Sequence, residues 1–186
     1  SEGLDRYLRE AGVPAIQGVD TRSLVRHIRD KGAMKAVVST DGTSREDLEK
    51  ALANWPGMSG RGLAEVVSTS KPYLYADPPD ARGSVAVVDG GVKTNILRLL
   101  KDAGLRVQVF PWNSKAEAWM DGHDFVFLSN GPGDPAALDG MVGEVKKVIG
   151  SKPIVGICLG HQLLGRALGA ETFKLTFGHR GANHPV

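Results

Sequence analysis

Only one cysteine, Cys158, occurs in the 186 residues. An intramolecular disulfide is thereby excluded, and a lone thiol in a reducing compartment is either inert core or a nucleophile. Aromatic residues are scarce at 6%, and charge is nearly balanced, 23 Lys and Arg against 21 Asp and Glu for a net +2. That balance lacks the basic excess that a phosphate backbone demands, so no nucleic acid is expected as a partner. No apolar run approaches the roughly 18 residues of a membrane helix, and the start Ser1-Glu2-Gly3-Leu4-Asp5 lacks the basic-then-apolar pattern of a signal peptide. No membrane partner is expected either, and the expected location is cytoplasmic. An initiator Met is missing too, and Asn183-His184-Pro185-Val186 closes no helical or strand pattern, so both ends read as cut from a longer protein.

What is present is globular in character. Hydrophobic residues make up 41% and charged residues 24%, and the 24 glycines point to many tight turns. The length suits one generous domain or two small ones.

Residues 1–67 read as a small mixed segment. Leu24, Val25 and Ile28 form an apolar stripe on a helix over 21–31, with Asp20 as its N-cap. Residues 34–39 read as a short strand, and 44–53 as a helix capped by Thr43 or Ser44. The cluster Arg22, Arg26, Arg29 and Lys31 reads as a solvated helix face and receives no chemistry. Residues 68–83 carry three prolines and no usable period, as a linker would, and the domain boundary is placed there.

From Ser84 onward short apolar runs alternate with amphipathic ones. Strands are expected at 85–89, 105–110, 125–129 and 153–157. Helices are expected at 93–103, where Ile96, Leu97, Leu99 and Leu100 share a face, at 115–120, at 141–149, and at 159–168 ending before Gly169. This alternation implies an α/β fold, an open and mostly parallel sheet with helices on both faces, and ligands beyond the carboxyl ends of its strands.

The strongest chemical signal is Pro153-Ile154-Val155-Gly156-Ile157-Cys158-Leu159-Gly160-His161-Gln162. Its Gly156-x-Cys158-x-Gly160 core is the cysteine form of the nucleophile elbow, a sharp strand-to-helix turn that needs small residues on either side of the nucleophile. The first turn of a helix also stabilises a thiolate. Taken alone, the pentapeptide serves equally well as a buried cysteine in a tight turn.

A second motif, Ser129-Asn130-Gly131-Pro132-Gly133-Asp134-Pro135, follows the preceding expected strand and so lies at the same sheet edge. Amide hydrolysis through a thioester passes a tetrahedral oxyanion that fixed backbone N–H groups stabilise, here those of Gly131 and Leu159. A rigid turn without chemistry remains an alternative for this loop taken by itself. Gln162 stands one helical turn after Cys158 on the same face, placed either to bind a polar substrate or to meet solvent. His161 is a poor general base for Cys158, because two groups near the start of one helix do not reach opposite sides of a substrate.

Together these two motifs resemble the class I, triad-type glutamine amidotransferases, in order and in spacing. The segments 19–22, 92–97 and 177–186 narrow the resemblance to the small, glutamine-hydrolysing subunits of carbamoyl phosphate synthetases, over nearly the whole chain but only the middle of such a subunit. The resemblance implies a flavodoxin-like amidotransferase domain over 84–186, preceded over 1–67 by part of a small mixed N-terminal domain. It implies Cys158 as nucleophile and Gly131, Gly133, Leu159 and Gln162 as the oxyanion and glutamine-binding residues. It also implies L-glutamine as substrate and a large synthetase subunit as partner, within arginine and pyrimidine biosynthesis. No metal or cofactor is expected in this chain, since ATP and Mg belong to the large subunit.

Two departures stand out. Asp89-Gly90-Gly91 lacks the aromatic residue that relatives carry between Asp and Gly. The His-x-Glu that supplies the base in triad amidotransferases is absent, and His27, His123, His161, His179 and His184 all fail that pattern. An α/β hydrolase with another substrate would need its own Asp and His after the nucleophile. A catalytically silent module of the same fold would have lost Cys158.

Overall fold

The computed structural model describes residues 3–176. The chain forms two compact units, one from the segment up to Gly57 together with that from Phe173 onward, the other from Met58–Thr172.

The first unit holds helices α1 (Leu4–Glu10), α2 (Thr21–Lys31) and α3 (Arg45–Asn54). Asp20 caps α2 by accepting the Ser23 N–H at 2.9 Å, as its sequence position predicts. Of the two candidates for α3, Ser44 is the cap and accepts the Asp47 N–H at 3.1 Å. The strand expected at 34–39 does not form. A strand needs a partner ladder, and the described residues of this unit contain none; Val37 and Val38 stay exposed. The apolar stripe of α2 is likewise uncovered at Leu24 and Val25.

The second unit runs α4 (Ala64–Val67), β1 (Tyr73–Ala76), β2 (Gly83–Asp89), α5 (Thr94–Asp102), β3 (Leu105–Pro111), α6 (Ala116–Met120), β4 (Phe125–Leu128), a 3₁₀ turn (Pro135–Ala137), α7 (Asp139–Val148), β5 (Ile154–Gly156) and α8 (Leu159–Ala167). The five strands lie in the order β1-β3-β2-β4-β5, all parallel except β1, which pairs antiparallel with β3. The open, mostly parallel sheet expected from the alternation is therefore present.

Strand β1 falls inside the stretch read as a linker. Its three prolines flank the four-residue strand and do not interrupt it, Pro72 before Tyr73 and Pro78-Pro79 after Asp77, as an edge strand allows. Thr69 N–H donates to the Asp89 carboxylate at 2.8 Å and Trp112 N–H to the Ser68 hydroxyl at 2.8 Å, so the approach to β1 is bound to the sheet. The structure divides the chain near Gly57, not at 68–83.

Strand side chains alternate between two buried layers. Val85, Val87, Val107, Val109 and Phe127 pack with Leu97 of α5 on one face. Ala86, Val88, Val126 and Leu128 pack with Trp119 of α6, Val145 and Val148 of α7, and Leu159 and Leu163 of α8 on the other. Each fully buried Val or Leu contributes on the order of 1.5–3 kcal/mol, which makes the sheet a stiff base for its loops. On α5 only part of the expected face is inward. Leu97 is buried but Leu99 is 61% exposed, because residues two apart on a helix point in nearly opposite directions.

Candidate active site

Register sets the site. Val88 of β2 pairs with Leu128 of β4, and Leu128 with Gly156 of β5, so three parallel strands end side by side. The loops that start at Asp89, Ser129 and Ile157 leave the sheet together. The chain passes from β2 to β3 on one side and then to β4 on the other, so the β2/β4 boundary is the topological switch point where such sheets form a crevice.

Cys158 lies at the end of the third of these loops. It has φ +53° and ψ −112°, and among the described residues no other non-glycine residue has a positive φ. L-residues are held in such a conformation only by their surroundings, at a cost on the order of 1–3 kcal/mol. Cys158 is the N-cap of α8, makes no side-chain capping bond and is exposed, which leaves its sulfur uncommitted at the start of a nine-residue helix.

The glycines flanking it are there for space. A Cβ on Gly156 would stand 2.5 Å from the carbonyl carbon and oxygen of Gly160. A Cβ on Gly160 would stand 2.2 Å from the carbonyl oxygen of Leu128. The Gly160 N–H donates to the carbonyls of Ser129 (3.1 Å) and Ile157 (3.0 Å), which binds the first turn of α8 to β4. Leu159 and Leu163, buried at 1% and 0%, anchor the same helix in the core. The Gly160 N–H is thus committed to structure.

The β4 loop lies against both neighbours. A Cβ on Gly131 would meet the Gly90 carbonyl oxygen at 2.1 Å and the Leu159 side chain at 3.0 Å. Gly131 therefore lies against the Leu159 side chain. Gly133 has φ +104°, and a Cβ there would collide with backbone of Arg61 and Leu63 at 2.6 and 2.8 Å, so its φ and its crowding both require glycine. Asp134 completes this attachment. Its carboxylate accepts N–H groups of Gly60 and Ala136, both at 2.9 Å, and its own N–H donates to the Arg61 carbonyl at 2.9 Å. Those backbone donors hold the Asp134 carboxyl below the ordinary aspartate range.

Three polar side chains that the sequence reading gave no role join the loops. Ser129, fully buried, accepts the Gly90 N–H at 2.9 Å and donates to the Asn130 carbonyl at 2.8 Å. The Asn130 amide donates to the Gly91 carbonyl and accepts the Lys93 N–H, both at 3.0 Å. The Asp89 carboxylate accepts from Gly91 and Val92 as well as Thr69. The available signal was positional: Asp89 ends β2, and Ser129 and Asn130 are the first two residues after β4. The Asp89-Gly90-Gly91 departure matters here, because a Cβ on Gly90 would stand 2.7 Å from the Trp112 ring.

Gln162 and His161 are both exposed on α8, and the Gln162 N–H donates to the Cys158 carbonyl at 3.0 Å. His123 is far from this chemistry. It precedes β4 at the opposite, amino end of the strand and is buried against Phe110, with ring centroids 5.4 Å apart. Burial, with Arg106 nearby, keeps its imidazole below the usual histidine range. His27 belongs to α2 in the other unit. His179 and His184, and the 177–186 segment used in the resemblance, lie outside the described residues. Among the described residues no His, Cys, Asp and Glu cluster has the geometry of a metal site, and no helix is long and apolar enough to cross a membrane.

Known proteins are similar to this chain over most of its length. The family described as glutamine amidotransferase class-I matches residues 86–186, and the carbamoyl-phosphate synthase small chain CPSase domain matches residues 1–38. The chain is 45% identical over 184 residues to the carbamoyl phosphate synthase small chain of Clostridium perfringens, covering 98% of this chain and 51% of that one. It is 45% identical over 200 residues to the protein of that name from Thermosynechococcus vestitus, covering 100% and 52%. With the Chlorobaculum tepidum protein it shares 46% identity over 190 residues, covering 100% and 52%. The chain thus spans about half the length of the curated relatives it matches. With the nucleophile elbow, the glycine loop beside it and a family match over more than half of its length, this chain belongs to the class-I glutamine amidotransferases.

Proposed function

We propose that this chain carries the glutamine-hydrolysing site of a carbamoyl phosphate synthetase small subunit. The observation that supports this reading best is the seating of Cys158: exposed, strained and uncapped at the head of α8, beside the loop that holds Gly131.

In this reading the Cys158 thiolate attacks the side-chain amide carbon of L-glutamine and forms a C–S bond. The N–H groups of Gly131 and Leu159 receive the oxyanion of the tetrahedral intermediate. Collapse breaks the C–N bond, a protonated amine leaves as ammonia, and a glutamyl thioester remains. Water then attacks the thioester and releases glutamate and the free thiol. Gly133 keeps the loop seated on residues 60–63, and Gln162 contacts the substrate. The ammonia passes to a large synthetase subunit, where ATP and Mg are used. The proton shuttle is a histidine of a His-x-Glu element that does not occur among these 186 residues.

Exposure to a chloroketone derived from L-glutamine, followed by intact-mass measurement and peptide mapping, tests the reading. One adduct at Cys158, suppressed by L-glutamine and absent in Cys158→Ser, is expected. Adducts that glutamine does not suppress would point to an unselective exposed thiol and a different function.

A further inference from the structure

We infer that Ser129 is a positioning residue for the oxyanion site, acting through the peptide that joins Asn130 to Gly131; this rests on the glutamine-hydrolysing reading above. The Ser129 hydroxyl donates to the Asn130 carbonyl oxygen at 2.8 Å. That carbonyl and the Gly131 N–H belong to one planar trans peptide, so gripping the oxygen fixes the direction in which the N–H points. A hydrogen bond to the carbonyl also polarises the peptide and strengthens the N–H as a donor.

Ser129 is itself held from several sides. Its hydroxyl accepts the Gly90 N–H at 2.9 Å, its own N–H donates to the Val88 carbonyl at 3.2 Å, and its carbonyl accepts the Gly160 N–H at 3.1 Å. One fully buried residue therefore bonds to the β2 loop, its own loop and the elbow helix. Gly131 has little freedom to compensate on the other side, because its Cα faces the Gly90 carbonyl so closely that a Cβ would lie 2.1 Å away. An oxyanion donor works only when its direction is set before charge develops, and Ser129 is the side chain built to set it.

Ser129→Ala and Ser129→Thr, made in the full-length protein, test the assignment. Removing a whole oxyanion donor costs about 10²–10³ in kcat. Misdirecting one through loss of the Ser129 grip is expected to cost roughly 10-fold in kcat for glutamine and in labelling by the glutamyl chloroketone. KM and alkylation by iodoacetamide, which passes through no oxyanion, should move less than about 3-fold. Thr restores the hydroxyl and should recover most of the loss, and a thermal melt of each variant separates a collapsed fold from a misdirected donor. If Ala lowers iodoacetamide and chloroketone labelling equally, or if Thr fails to recover the rate while melting like the parent, Ser129 is merely structural and the assignment falls. A parent protein whose Cys158 shows no preference for the L-glutamyl reagent overturns the underlying function and the assignment together. A parent preference that Ser129→Ala leaves intact overturns the assignment alone.

Discussion

The Cα of Gly160 approaches strand β4 so closely that a Cβ there would stand 2.2 Å from the carbonyl oxygen of Leu128. Helix α8 can start where it does, and present Cys158 at its head, only while position 160 has no side chain. Gly160→Ala must push the first turn of α8 off the sheet and stretch the Gly160 N–H bond to Ser129. Overpacking of this kind costs roughly 1–3 kcal/mol. Denaturant unfolding should show that loss, with a similar fall in glutamine-dependent labelling of Cys158; an unchanged midpoint would mean that the elbow has slack that the geometry does not suggest.

The strain at Cys158 gives a prediction of opposite sign. Its φ of +53° with ψ −112° disfavours any residue with a Cβ, alanine included. Cys158→Gly should therefore abolish activity while exceeding Cys158→Ala in stability by about 1 kcal/mol, partly offset by the greater entropy of the unfolded glycine chain. Equal melting temperatures for the two variants would argue against strain at this position.

Gln162 lies one turn along α8 from Cys158 and is exposed. Gln162→Ala should raise KM for glutamine several-fold while leaving iodoacetamide alkylation nearly unchanged, since a residue that binds ligand does not activate sulfur. Equal losses in both assays would remove its binding role.

Without a His-x-Glu element, the 186-residue chain by itself should hydrolyse glutamine about 10²–10⁴-fold more slowly than the full-length protein, the usual worth of a positioned general base. Ammonia release, each sample with its Cys158→Ser control, measures this. Comparable Cys158-dependent turnover by the short chain would make a histidine present in it, His161 first among them, the base and end the triad assignment.

Glu144 of α7 accepts the Ala116 N–H at 3.0 Å at the start of α6, and Lys147 and Lys115 at 3.0 and 3.2 Å. The Ala116 N–H, then the lysines, lower its pKa to about 2. A carboxylate depressed in the folded state stabilises fully above its unfolded pKa, and that contribution is lost as pH falls toward the folded value. Glu144→Ala should cost roughly 1–3 kcal/mol near neutrality by leaving a part-buried donor unmet. The gap to the parent protein should close between about pH 4.5 and 2. A gap independent of pH would show that packing, not charge, is what Glu144 contributes.

What local sequence determined is what short spacing can encode. The alternation of apolar runs produced four of the five strands and helices α5 to α8. Asp20 and Ser44 marked helix starts through one backbone hydrogen bond each, and Gly156 marked the elbow through its crowding against Gly160, all within a few residues, whereas Gly160 is required by Leu128 of β4. Tertiary structure decided the rest. Tyr73–Ala76 is a strand because β3, some thirty residues later, offers it a free edge, while residues 34–39, as apolar in pattern, find no such edge among the described residues of their unit. Only the register of Val88, Leu128 and Gly156 brings the Gly131 loop beside Cys158. The bonds of Ser129 to Gly90 and Gly160 join positions about thirty to forty residues apart. Such contacts depend on which strands become neighbours, and that depends on closing the whole sheet, a property no local window of the sequence contains.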